Sequence, residues 1–151
     1  MTVRELPLET QVSVRMDAAS LPAVEAQLGS GPTLLRLGPD EWLVVAEGEA
    51  AIEAELRAVL TGDRDAIVDV SDQRTTFELA GPYARELLAM GCSLDLHPRA
   101  FGPGQHAVTM LARAGVILLQ LDDAPTYRVM VRRSFAAYVA AWLADAMTEL
   151  G

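Results

Sequence analysis

Four side chains that could bind a metal or act as a nucleophile lie between positions 92 and 106: Cys92, Asp95, His97 and His106. The two histidines are the only ones in the chain, and neither an H-x-x-x-H nor a C-x-x-C spacing occurs. Cys92 follows Gly91 at the end of a predicted helix, where the negative end of the helix dipole disfavours a thiolate. We therefore interpret the histidines as polar loop residues and Cys92 as a packing residue, and predict no metal-binding and no catalytic residue.

The carboxylates and the glycine-rich stretches fit turns better than binding sites. Acidic pairs occupy two predicted turns: Asp69 with Asp72, and Asp122 with Asp123. Acidic residues in turns usually accept hydrogen bonds from the neighbouring backbone. The glycine-rich stretches at 29–31 and 102–104 each precede a predicted strand, whereas a dinucleotide-binding loop follows a strand and opens a helix. The sequence therefore predicts no cofactor-binding residue.

Composition limits the class of protein. The chain has 151 residues, about the size of one domain, and its 21 acidic and 12 basic residues give a net charge of −9. Because this charge repels phosphate backbones, we predict no nucleic-acid partner. The sequence has no apolar run long enough for a membrane span, and its first residues lack the apolar core of a signal peptide. Together with a single cysteine, these features predict a cytoplasmic protein with no membrane segment.

Hydrophobic periodicity predicts six elements in the first half of the chain. Strands are predicted at 11–17, 33–37, 42–46 and 66–70, and helices at 21–28 and 49–60. Ser20 is the predicted cap of the first helix. The order strand, helix, strand, strand, helix, strand is the split βαβ arrangement of ferredoxin-like folds.

The second half begins in the same way. A strand at 75–79 is followed by a helix that Gly81-Pro82 opens and Gly91 ends, and by an irregular loop at 92–104. A hairpin of 106–112 and 116–121, a strand at 127–132 and a helix capped by Ser134 complete the pattern. We predict an α+β fold of two duplicated ferredoxin-like half-units, approximately 11–71 and 74–150, within a single domain over 1–151.

The last predicted helix has an unusual outer face. Its predicted core stripe is Phe135, Tyr138, Val139, Trp142, Leu143, Ala146 and Leu150. The opposite face consists of alanines: Ala136, Ala137, Ala140, Ala141 and Ala144. Two interpretations stay open. Alanine has the highest helix propensity and suits exposed positions, or the smooth face admits the backbone of a partner.

Residues 69–149 resemble the gamma subunit of heterotetrameric sarcosine oxidase. The resemblance rests on Arg74-Thr75-Thr76-Phe77-Glu78-Leu79, Gly81-Pro82, the run from Gly91-Cys92-Ser93 through Leu94-Asp95-Leu96 to His97-Pro98, Phe101, Gly104, Thr109, Arg133-Ser134-Phe135-Ala136, Trp142-Leu143 and Asp145-Ala146. The first half is similar to the family mainly at 37–43. Where iron-sulfur-linked relatives carry Lys-Gly-Cys, this chain has Met90-Gly91-Cys92.

The resemblance implies a fold and an assembly. The fold is that of the folate-binding domain of aminomethyltransferases, the glycine-cleavage T-protein type. The family's complex oxidatively demethylates sarcosine to glycine, passes the one-carbon unit to tetrahydrofolate and forms hydrogen peroxide. FAD, FMN and NAD belong to its large alpha and beta flavoprotein subunits, and zinc belongs to its small delta subunit. The gamma subunit holds no cofactor and packs against its larger partners.

These points predict a non-catalytic gamma subunit with a structural role in an oxidoreductase complex. Two other hypotheses remain. One is a stand-alone folate- or small-ligand-binding module of the aminomethyltransferase type. The other is a homodimeric structural domain that uses the alanine-rich helix.

Overall fold

The computed structural model describes residues 1–151 and contains two compact units. The N-terminal unit is Pro7–Asp72, and the C-terminal unit combines Met1–Leu6 with Gln73–Gly151. The first six residues thus belong to the C-terminal unit, although the predicted half-units leave them out.

In chain order the strands and helices are β1 (Thr2–Glu5), β2 (Glu9–Arg15), α1 (Leu21–Leu28), β3 (Thr33–Arg36), β4 (Glu41–Glu47), α2 (Ile52–Val59), β5 (Ala66–Asp69), β6 (Arg74–Ala80), α3 (Ala84–Ala89), β7 (His106–Leu111), β8 (Ala114–Asp122), β9 (Thr126–Arg132) and α4 (Ala136–Leu150). Single 3-10 turns at Ala18–Ser20 and Arg133–Phe135 lead into α1 and α4. None of the helices combines the length and the apolar character that a bilayer crossing needs.

The N-terminal unit has the predicted ferredoxin-like topology. Its antiparallel sheet has the order β3-β4-β2-β5, in which the first and third strands in sequence are central. Both helices pack on one face of this sheet, because the inward side chains of β2, β4 and β5 and the apolar stripes of α1 and α2 form one core. Its buried members are Val12, Val14, Met16, Val24, Leu28, Trp42, Val44, Ala46, Ile52, Leu56, Leu60 and Ile67.

Two helix starts in this unit differ from the prediction. Ser20 makes no side-chain cap, since it belongs to the 3-10 turn that precedes α1. The capping side chain is that of Asp17, whose Oδ1 accepts a hydrogen bond from Ala19 N–H at 2.8 Å. Helix α2 begins at Ile52, three residues after the predicted start at 49.

The C-terminal unit has a five-stranded antiparallel sheet in the order β1-β6-β9-β8-β7. Helices α3 and α4 cover one face, and their apolar residues share a core with β6, β8 and β9. The buried members are Phe77, Leu79, Ala84, Leu87, Leu88, Cys92, Leu96, Phe101, Leu111, Ala114, Val116, Leu118, Tyr127, Val129, Val131, Val139, Leu143 and Ala146.

The N-terminal strand β1 completes this second sheet. In a ferredoxin-like unit, the strand after the second helix pairs antiparallel with the first strand. Here β1 pairs antiparallel with β6 in that place, with Val3 opposite Leu79 and Arg4 opposite Glu78. The Arg4 guanidinium donates to Glu78 Oε1 from Nη2 at 2.6 Å and from Nε at 3.0 Å. With β1 in this position, β7 is a fifth strand added at the opposite edge.

Two predictions about the beginning of α4 are wrong. Ser134 is not the helix cap, because it lies within the 3-10 turn and α4 starts at Ala136. Phe135 lies in this turn, outside α4, and Tyr138 lies at the edge of the apolar stripe of α4, so they are 43% and 39% exposed instead of lying in the core. Their rings form an edge-to-face pair with centroids 6.3 Å apart. Val139, Leu143 and Ala146 are buried as predicted.

The hairpin between β7 and β8 has a shorter turn than predicted. Ala112 and Arg113 alone connect the strands, and Ala112 has a φ of 51°. A side chain in this left-handed region costs about 1–2 kcal/mol. Two hydrogen bonds from outside the hairpin hold the turn: Ala112 N–H to the Gly91 carbonyl at 2.8 Å, and Arg113 N–H to the Tyr138 hydroxyl at 3.3 Å.

Candidate partner surface

The residues considered for metal binding do not form a cluster. Asp95 Oδ1 accepts a hydrogen bond from His97 N–H at 3.0 Å, and His97 Nδ1 accepts one from Arg99 N–H at 3.2 Å. These bonds order an exposed loop locally. Cys92 is buried in the core, with its sulfur 3.8 Å from Thr109 Oγ1. No group of three His, Cys, Asp or Glu side chains is arranged to hold a metal ion.

Two open clefts on the surface are lined by few ionisable side chains. One of about 420 Å³ lies beside His106 and is lined by Ala100, Phe101, Gly104, Gln105, His106 and Ala107. A second, of about 430 Å³, is lined by residues 36–39. Neither is lined by a carboxylate or a thiol.

The acidic turns behave as predicted. Asp69 Oδ1 accepts a hydrogen bond from Ser71 N–H at 2.9 Å, and Asp122 Oδ1 accepts one from Ala124 N–H at 3.0 Å. The bonds that the Ser71 backbone and hydroxyl donate hold the pKa of Asp69 below its ordinary value, because they favour the ionised carboxylate. Asp69 therefore stabilises its own turn at neutral pH.

The alanine face of α4 is exposed. Ala137, Ala140, Ala141 and Ala144 face solvent, whereas Ala136 packs partly against the core. The acidic residues Asp145 and Glu149 lie beside this face.

A second apolar surface, which the sequence analysis missed, lies on the edge strand β7. Val108 is 63% exposed and Met110 is 48% exposed, although both project from the middle of a regular six-residue strand. Their cross-strand neighbour Ile117, opposite Val108 on β8, is only 4% exposed. One feature of the sequence could have indicated this surface: residues 106–111 contain no Asp, Glu, Lys, Arg or Pro.

Charge is divided unevenly between the two units. The N-terminal unit contains 13 acidic and 4 basic residues, while the C-terminal unit contains eight of each. The whole net charge of −9 therefore lies in the N-terminal unit. All 12 basic residues are arginines.

The fold places the chain in a known structural class. It matches aminomethyltransferase T of the glycine cleavage system from Bartonella henselae with a TM-score of 0.67, over 93% of this chain and 44% of that chain. At 15% identity this likeness concerns the fold alone. The class is thus the α+β architecture of an aminomethyltransferase, with sheets of four and five strands.

The sequence identifies the family within this class. The sequence pattern of the sarcosine oxidase gamma subunit family matches residues 11–149. The sarcosine oxidase subunit gamma of an Arthrobacter species is 36% identical, over 99% of this chain and 81% of that protein. The chain belongs to the sarcosine oxidase gamma subunit family, whose members are subunits of an oxidoreductase.

A solved structure supports the same assignment. The chain is similar to one in heterotetrameric sarcosine oxidase from Corynebacterium sp. U-96 in complex with pyrrole 2-carboxylate, with a TM-score of 0.90 and 33% identity. The match covers 98% of this chain and 84% of that chain. The resemblance found in residues 69–149 therefore extends through the N-terminal unit.

Proposed function

We propose that this chain is the non-catalytic gamma subunit of a sarcosine oxidase complex. In that complex the larger alpha and beta subunits and the small delta subunit oxidatively demethylate sarcosine to glycine, transfer the one-carbon unit to tetrahydrofolate and form hydrogen peroxide. The role of this chain is structural: it folds independently and offers surfaces on which the larger subunits assemble. The observation that carries the proposal is the family match over residues 11–149.

The distribution of polar groups supports a structural role. The histidines lie in a loop and at the start of an edge strand, and the lone thiol is enclosed in the core. Asp69, whose pKa is shifted, is exposed at the end of β5, and its carboxylate accepts a hydrogen bond from Ser71. A catalytic acid or base needs its shifted pKa in a site where a substrate can be held next to it. Neither of the two open clefts is lined by a carboxylate or a thiol.

We assign FAD, FMN, NAD and zinc to the partner subunits. Zinc in proteins usually takes three or four nitrogen, sulfur or oxygen ligands, and no three such side chains of this chain converge. In the Rossmann fold, dinucleotide cofactors bind at a glycine-rich turn between a strand and a helix. Here Gly81 follows β6, but a β-carbon at Gly81 would stand 2.9 Å from the α-carbon of Met1. The turn at Gly81 therefore packs against the N-terminal residue.

Expression with and without partners tests the proposal. The isolated chain should show no sarcosine oxidase activity and no flavin absorbance, and co-expression with the alpha, beta and delta subunits should give a stable complex that contains it. Flavin that stays with the isolated chain through gel filtration would refute the structural role. A complex that assembles with full activity without the chain would refute the subunit assignment.

The fold likeness to aminomethyltransferase T favours a second candidate function, a folate- or small-ligand-binding module. A ligand that binds only the native state raises its melting temperature. Tetrahydrofolate should leave the melting temperature of the isolated chain unchanged under our proposal. A concentration-dependent rise would support the folate-binding module instead.

A further inference from the structure

The four sheet edges of the molecule are protected to different degrees. Edge strands normally avoid unwanted pairing by being short or by carrying charge, proline or a bulge. Strands β1, β3 and β5 have only four residues each, and each contains a charged residue: Arg4 and Glu5 in β1, Arg36 in β3 and Asp69 in β5. In addition, Arg57 Nη2 donates to the Ile67 carbonyl of β5 at 3.3 Å.

Strand β7 has none of these protections. It runs for six residues in continuous register with β8, without a bulge, and its sequence HAVTML contains no proline and no acidic or basic residue other than His106. It also lies outside the four-strand ferredoxin-like pattern, as the fifth strand. An apolar, regular and uncharged edge in an acidic protein is the arrangement expected where another chain pairs.

The backbone of β7 is oriented for such pairing. Gln120 N–H donates to the Gln105 carbonyl at 3.0 Å, so odd-numbered positions turn their backbone groups toward β8. Because the direction of the backbone groups alternates along a strand, the N–H and C=O of Val108 and the N–H of Met110 point away from β8. Gly91 and Cys92 cover the Leu111 end of this edge, through the bridge to Leu111 and the bond from Ala112.

We infer that an extended segment of a partner subunit adds to β7 as a sixth strand of this sheet, which rests on the proposed role as a gamma subunit. The exposed groups are main-chain donors and acceptors, and only another extended chain satisfies them in a row. Because Val108 and Met110 are apolar and exposed, we expect apolar side chains at alternate positions of that segment. Arg113, exposed at the hairpin tip, favours an acidic residue at the end of the segment that lies near it.

A second copy of this chain fits the edge less well. Two copies each carry a net charge of −9, and β7 contains no acidic residue that could pair with Arg113 of the other copy, so charge does not favour their pairing. A partner segment with an acidic end complements Arg113 instead.

Substitutions on β7 test the inference in the complete complex. In the double variant Val108→Lys with Met110→Lys, charge is added at positions that are already exposed, so the isolated chain should keep its melting temperature within a few degrees. Recovery of the chain with co-expressed alpha, beta and delta subunits should fall at least tenfold. The matched control is Val68→Lys, since Val68 is 55% exposed on the edge strand β5. It should assemble like the wild type.

Hydrogen exchange gives a readout that needs no variant. The amides of Val108 and Met110 should exchange rapidly in the isolated wild-type chain and be strongly protected in the complex. Assembly of the double variant at the wild-type level, or unprotected amides in an intact complex, would overturn the inference and leave the gamma-subunit assignment standing. A wild-type chain that fails to assemble at all would overturn the assignment itself. A homodimer that the double variant converts to a monomer would show that a second copy occupies the edge.

Discussion

Gly91 shows how a single residue can be required for a reason that its sequence position does not reveal. A glycine just after a helix suggests a left-handed cap, but α3 ends at Ala89 and Gly91 is not among the residues with positive φ. Its α-hydrogens instead face the indole of Trp142, because a β-carbon at Gly91 would stand 2.4 Å from Trp142 Cζ2. The glycine is needed so that α4 can approach the segment after α3.

The variant Gly91→Ala tests this contact. It should lower the free energy of unfolding by about 1–3 kcal/mol, the usual cost of overpacking a closely packed contact. Chemical denaturation of the isolated chain measures the change. The control Gly31→Ala should be nearly neutral, since no atom lies within 4 Å of the added carbon. If Trp142→Ala does not reduce the cost of Gly91→Ala, the contact is not its cause.

At the scale of elements, β1 is the part whose position depends most on distant residues. It pairs with β6, more than 70 positions away, and Val3 packs against the C-terminal core while Thr2 is exposed. Val3→Asp should destabilise the isolated chain by about 1–3 kcal/mol, because it places a charge at a partly buried apolar position. Thr2→Asp adds the same charge to the same strand on its exposed side, and thermal unfolding should show little change. Equal losses in the two variants would mean that charge near the N-terminus, not burial, is responsible.

The alanine face of α4 can be tested in a similar way. Ala137→Glu with Ala141→Glu should leave the melting temperature of the isolated chain almost unchanged, because both positions are exposed and glutamate favours helices. Circular dichroism on heating measures this result. A loss of several degrees would show that the face packs within the chain. Normal assembly of this variant with the partner subunits would favour the interpretation that the alanines serve helix formation only.

At the scale of the whole molecule, the separation of charge is the leading electrostatic feature. The N-terminal unit holds an excess of nine carboxylates, and their mutual repulsion opposes its compact state. We expect the melting temperature of the isolated chain to rise as sodium chloride increases from about 10 to 150 mM, since the Debye length falls from about 30 to 8 Å. Calorimetry at constant pH measures the shift. A constant or falling melting temperature would contradict the repulsion, and sucrose at matched osmolality controls for effects other than charge.

Much of the fold could be predicted from local patterns. The alternation of Val12, Val14 and Met16, and the helical spacing of Val24 and Leu28, identify elements whose faces the structure confirms. The errors lie where contacts outside the local segment decide. Phe135 lies in the 3-10 turn before α4, and Tyr138 is exposed at the edge of the stripe, with its hydroxyl accepting a hydrogen bond from Arg113 N–H of the β7–β8 turn. The single-domain organisation over 1–151 stays a prediction.

The candidate surface was less predictable than the fold. The sequence predicted an alanine face on α4 opposite the core stripe, and the structure confirms that Ala137, Ala140, Ala141 and Ala144 are exposed. It could not reveal that residues 106–111 form an edge, because the apolar run HAVTML would look the same in the middle of a sheet. Edge or centre depends on which strands lie alongside, and that is a property of topology.

The amino-acid sequence by itself determined the order of the elements after β1, the ferredoxin-like pattern of the N-terminal unit and the resemblance to the sarcosine oxidase gamma subunit family. These follow from periodicity, turn residues and motifs that act over short stretches of chain. Only the tertiary structure decided that β1 completes the second sheet, that Gly91 makes room for Trp142 and that β7 is left with an open edge. Each of these depends on segments that are far apart in sequence, and chain folding alone brings their backbones within hydrogen-bonding or van der Waals distance.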